Sequence, residues 1–202
     1  MTPALRTSIA ASAIALAACS QSAPAPLEGD WVLDAENSRL AFTSVKAGSI
    51  AEAHSFTSLA GSVSADGTAT LTIDLASVET NIDVRNERMR NLLFETGMFP
   101  SATVTTQLDP AHFEALGVGE SIVEPVEATL DLHGAQDTIA TDLSVTRIGE
   151  GRVQVETTAP IILDAGSYAL VDGLDALQEV AGLSGITPQV PVTFSITFEQ
   201  SE

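Results

Sequence analysis

Few side chains in this 202-residue chain have both the type and the spacing to do chemistry. Arg85 and Arg88 head the set. They lie in Asp83-Val-Arg-Asn-Glu-Arg-Met-Arg90, a helix-like stretch where neither has a carboxylate one turn away, whereas Arg90 has Glu87. Two neighbouring guanidinium forks without helical partners have two uses. They close tertiary ion pairs in a chain with 27 acids against 8 Lys and Arg, or they grip an anionic or carbonyl-bearing ligand head group. His54, His112 and His133 are far apart and none has a second ligand at metal spacing. They read as surface or hydrogen-bonded residues, and no metal site is expected. The chain contains no G-x-S-x-G, H-E-x-x-H, P-loop or Rossmann motif, so no catalytic residue, enzyme activity or cofactor is expected. Cys19 is the single thiol.

The elements that would position these residues are mostly strands. Leu71, Ile73 and Leu75 alternate with polar residues from Thr68 onward. Thr80 and Asp83 have capping-box spacing, which predicts a helix from there to about Thr96, stopped by Gly97 and Pro100. Ala102 to Leu108 reads as the next strand. Ser38 to Val45 puts Leu40 and Phe42 on one face, with a bulge expected near Ser44. Ile50 to Val63 is a further run weakly interrupted at Gly61, and Asp66-Gly67 is a hairpin signal. Val126, Ala128, Leu130 and Leu132 alternate up to Gly134, and Ile139, Leu143 and Val145 share a face beyond it. Glu150-Gly151 turns into Val153 and Val155. Val190, Val192, Phe194, Ile196 and Phe198 form the cleanest alternation of all. A short helix is expected at Leu174 to Val180, where it would cap one end of a barrel. The class is all-β: about eight antiparallel strands, one or two short helices, and closure into a barrel that removes exposed edges.

One face of these strands is free of charge. Leu71, Ile73, Leu75, Leu130, Leu132, Val192, Phe194, Ile196 and Phe198 are the clearest inward positions. An eight-stranded barrel is just wide enough to be filled by its own side chains or to hold one small ligand. Periodicity leaves both open, and the general tightness of protein interiors favours filling.

The N-terminus reads as targeting rather than fold. Residues 1–18 carry one charge, Arg6, and the apolar run Ser8 to Ala17 is too short to span a bilayer. Leu16-Ala17-Ala18-Cys19 resembles the lipobox of bacterial lipoproteins. Acylation there would explain a lone thiol in an oxidising compartment, and two or more acyl chains anchor stably. Residues 19–29 are then the acylated Cys and a tether of about 30 Å at about 3.1 Å per residue, followed by one domain over residues 30–202. Ser20, by resemblance to the sorting rule of enteric bacteria, favours the outer membrane. The expected location is periplasmic, with the membrane reached through the anchor. The formal charge of −19 repels nucleic acid, which is excluded as a partner.

The stretch Ile73-Asp-Leu-Ala-Ser-Val-Glu-Thr80, the run Arg85 to Arg90, and Phe99-Pro-Ser-Ala102 together resemble the YceI-like family of bacterial extracytoplasmic lipid-binding proteins. The likeness extends over about Asp30 to Glu199. It implies a lipocalin-like antiparallel β-barrel whose interior is a tunnel for a long isoprenoid chain, carried by an amphiphilic lipid such as a quinone. On that implication the nine inward residues become the cavity wall, and Arg85 and Arg88 become candidates for orienting the head group. The alternative is a structural or interaction lipoprotein whose barrel is filled by side chains.

Overall fold

The structure, a computed structural model, describes residues 27–201. The leader, the lipobox and Cys19 lie outside the described residues. Eleven strands and two helices follow: β1 (Trp31–Lys46), β2 (Ile50–Phe56), β3 (Leu59–Val63), β4 (Thr68–Asp74), β5 (Val78–Glu79), α1 (Asp83–Arg88), β6 (Ser101–Gln107), β7 (Ser121–Leu132), β8 (Ala135–Gly149), β9 (Arg152–Thr157), β10 (Ile161–Asp164), α2 (Val171–Ala181) and β11 (Gln189–Gln200).

Eight of the strands close a ring in the order β1, β3, β4, β6, β7, β8, β9, β11, and β11 returns to β1. Every pairing is antiparallel. The closing seam runs from Trp31↔Gln200 to Phe42↔Val192. The expected antiparallel barrel with short helices is therefore present. β1 and β11 are long because each serves two neighbours in succession. β1 pairs with β3 at Trp31 and Val32, then with β2 from Leu40 to Lys46. β11 pairs with β9 from Ser195 to Glu199, then with β10 from Val192 to Gln189.

Two local expectations need correction. The irregularity in β1 falls between Asp34 and Arg39, not near Ser44, where pairing with β2 is regular. The cause is side-chain competition for the ladder: the Asn37 amide donates to Asp34 Oδ2 at 2.6 Å, and Ser38 Oγ accepts from Thr197 N at 3.0 Å. The helix also starts without its capping box. Ile82 occupies the N-cap with no side-chain cap. Thr80 instead donates from N and Oγ1 to Oδ1 of the buried Asn86, at 2.8 and 2.6 Å. α1 passes into a π-helical turn, Met89–Leu93, and ends there, earlier than Thr96.

α2 starts three residues before its expected position and lies against that π-turn. Gly173 makes the approach feasible, because a Cβ there would sit 2.6 Å from the Leu92 carbonyl oxygen and 2.8 Å from Leu93 Cα. Leu93, Phe94, Leu170 and Leu174 thereby reach the barrel interior at the end where β1 and β11 project.

Candidate functional site

The interior is not filled. A cavity of about 350 Å³ runs through the ring, lined from Trp31 and Phe113 at one end to Leu93, Leu170 and Leu174 under the helices. All nine sequence-predicted inward residues line it: Leu71, Ile73, Leu75, Leu130, Leu132, Val192, Phe194, Ile196 and Phe198. Their strands supply them by simple alternation, which sends every second side chain inward. Leu75 is the exception in form, since it belongs to the 3₁₀ turn Leu75–Ser77 after β4, yet it still points in and is only 1 % exposed.

The sequence reading missed several wall residues. Phe42 and Phe56 meet at 5.4 Å between ring centroids, and Phe56 meets Phe94 at 5.7 Å, making an aromatic side to the chamber. Phe42 carried a usable signal in its alternation with Leu40. Phe94 follows the π-turn and Tyr168 ends the 3₁₀ turn Ala165–Tyr168, where no period-2 signal exists. Glu124 is the buried acid of the wall, held by His112 Nδ1 at 2.9 Å from its Oε1. The hydrogen bond to Glu124 raises the His112 pKa.

Arg85 and Arg88 do not line the cavity. Arg85 has the tertiary use of the two offered by its spacing. It bonds Glu52 Oε2 of β2 at 2.9 Å and the Thr80 carbonyl at 2.7 Å. Lys46 reaches the same Glu52 oxygen at 2.5 Å. These cation hydrogen bonds hold the Glu52 pKa down, Lys46 contributing most. Arg88 is half-buried on the same helix and has no side-chain partner among the described residues.

The histidines take separate partners: His54 Nε2 with Ser44 Oγ at 2.8 Å, His112 with Glu124, and His133 Nε2 with Glu95 at 3.0 Å. Burial, and secondarily the Arg85 charge, depress the His54 pKa. Among the described residues no cluster of three or more His, Cys, Asp or Glu is placed to hold a metal. No described helix is long and apolar enough to cross a membrane.

An eight-stranded antiparallel ring around an apolar cavity, with helices over one end, matches a known domain. The YceI-like domain model fits residues 31–198. This chain belongs to the YceI-like family. Among solved structures, this YceI-like domain resembles a polyisoprenoid-binding domain from Saccharophagus degradans, described as implicated in plant cell wall breakdown, with 43% identity over 85% of this chain and 98% of that one, at a TM-score of 0.83. BcnA of Burkholderia cenocepacia shares the fold at 17% identity, covering 82% of this chain and 98% of its own, with a TM-score of 0.64. The Campylobacter jejuni YceI protein does so at 13% identity, 74% and 85% coverage and a TM-score of 0.54. No curated protein matches the chain.

Proposed function

We propose that this YceI-like protein is a non-enzymatic binding protein for an isoprenoid-type lipid, a quinone among the candidates, and that it works in the periplasm from an anchor at Cys19. The observation that carries the reading is the cavity wall, made almost wholly of carbon in a domain 43% identical to one described as polyisoprenoid-binding. An apolar tail leaving water for such a wall gains roughly 25 cal/mol per Å² buried. A narrow, branched-aliphatic and aromatic lining suits a long chain better than a compact polar solute. The anchor reading rests on Leu16-Ala17-Ala18-Cys19 and on the lone thiol, and Ser20 favours the outer membrane.

The test is organic extraction and mass spectrometry of protein purified from bacterial membranes, beside a Cys19→Ser variant. A prenyl lipid should co-purify in near-stoichiometric amount, and the variant should lack acyl chains. Protein that carries no lipid and takes up no prenyl probe would refute the binding function. Acylation of the Cys19→Ser variant would refute the anchor alone.

A further inference from the structure

Strand pairing does not seal the chamber all the way round. β8 pairs with β7 from Ala135 to Thr146, but with β9 only from Leu143 onward. The next strand, β10, pairs with β11 alone. Thr158 closes the corner below by donating to the Asp142 carbonyl, from N at 3.3 Å and from Oγ1 at 2.8 Å. Above that corner the upper part of β8 and β10 face each other across a cleft of about 450 Å³. The cleft shares Ile139, Thr141, Ile161, Leu163, Asp164 and Tyr168 with the inner cavity. Those side chains are the partition between the two spaces.

Tyr168 is the informative member of the partition. It is 3 % exposed and its hydroxyl has no hydrogen-bond partner among the described residues. The hydroxyl oxygen is not sealed off by protein, so it borders the open space that Tyr168 lines. Burial, with the Asp137 charge as a lesser cause, raises its pKa and keeps it a protonated donor. The rest of the cleft is polar, including Asp137, Thr138, Asp142 and Ser167, and its lining holds no Lys or Arg. The Asp137 Oδ1 accepts from Thr138 N at 2.8 Å, and Asp164 accepts from Gly166 N at 2.8 Å and from the Gln189 amide at 2.5 Å.

We propose that the seam between β8 and β10 receives the polar end of the ligand: the tail fills the cavity, and an uncharged, oxygen-bearing head (alcohol, phenol or carbonyl) takes the unspent hydrogen bond of Tyr168. The inference rests on the isoprenoid reading and narrows it. An apolar chamber and a polar cleft that share one wall, with a hydrogen-bond donor in that wall, suit the two ends of an amphiphile. Three carboxylates with no cation beside them repel a phosphate or diphosphate head.

The test uses the full chain stripped of lipid, with the fluorescence of Trp31, the single tryptophan, as reporter, since it lines the cavity. Three probes are titrated: squalene, a polyprenol, and the phosphate ester of that polyprenol. The polyprenol should bind at least about tenfold more tightly than its phosphate. Tyr168→Phe should weaken polyprenol binding about three- to tenfold, the range of one hydrogen bond, while squalene binding and melting temperature hold. Asp137→Asn with Asp142→Asn should narrow the gap between alcohol and phosphate. Equal binding of alcohol and phosphate by the unmodified protein would overturn the proposal. So would a Tyr168→Phe variant that affects polyprenol no more than squalene. Either result leaves tail binding standing, whereas failure of all three probes, squalene included, would remove the isoprenoid reading and this inference with it.

Discussion

Two inner surfaces of this barrel obey the same period-2 alternation and end in opposite chemistry. On β4, β6, β7 and β11 the inward residues that border open space are mostly aliphatic or aromatic, with Thr106 on β6 and the His112-bonded Glu124 on β7 as polar members near one end. On the β1–β2 ribbon the inward series begins in the same way, with Phe42 and Phe56. It then turns polar: Ser44 and Lys46 on β1 stand beside His54 and Glu52 on β2, with Arg85 arriving from α1. His54 meets Phe42 at 5.1 Å between tilted rings, so the change from apolar to ionic takes place across one pair of rings. The difference lies in what faces each surface. The ring surface faces other strands across a chamber, where a polar side chain without a partner is costly and Glu124 is held by His112. The ribbon projects beyond the ring and faces a helix, so its charges find fixed partners and water at the edge.

The comparison breaks most severely at Leu130, 3 % exposed and part of both the core cluster and the wall. Leu130→Ala should cost about 2–5 kcal/mol, read as a fall in the denaturation midpoint. A cost well below 1 kcal/mol would mean that the wall carries no packing. On the ribbon, Arg85→Met keeps the apolar stem but removes the bonds to Glu52 and the Thr80 carbonyl. We expect a loss of about 1–3 kcal/mol, below that of a fully buried pair because both side chains remain about a quarter exposed (24% and 28%). Affinity for a prenyl probe should not change. Weakened binding at full stability would instead return Arg85 to the head-group role. The smallest effect on stability is expected at Leu71, which is half-buried only because it borders the chamber. Leu71→Phe grows into open space, so it should cost less than about 1 kcal/mol, against about 1–3 for overpacking a filled core. Its consequence should appear in binding, where probe uptake falls sharply. A large destabilisation with normal uptake would show that Leu71 sits in a filled core.

Much of this was legible in the chain. Alternation identified nine wall residues, and Asp66-Gly67 and Glu150-Gly151 marked hairpins that form between β3 and β4 and between β8 and β9. Such signals are local, because a strand's side chains point by turns and a turn depends on its own few residues. Capping spacing misled at Thr80, since Asn86, six residues on, competes for the same donors. Other features had no local signal at all. Arg85 lacks a helical partner, but its choice of Glu52 depended on β2 folding back beside α1, 33 residues away in sequence. Tyr168 looks like an ordinary turn residue until β8 and β10 fail to pair and leave it as the partition between two spaces. Whether the interior was packed or open was equally undecided, because the direction of a side chain follows from its own strand. The volume those side chains enclose follows only from the closure of the ring, the projection of β1 and β11, and the helices laid across one end.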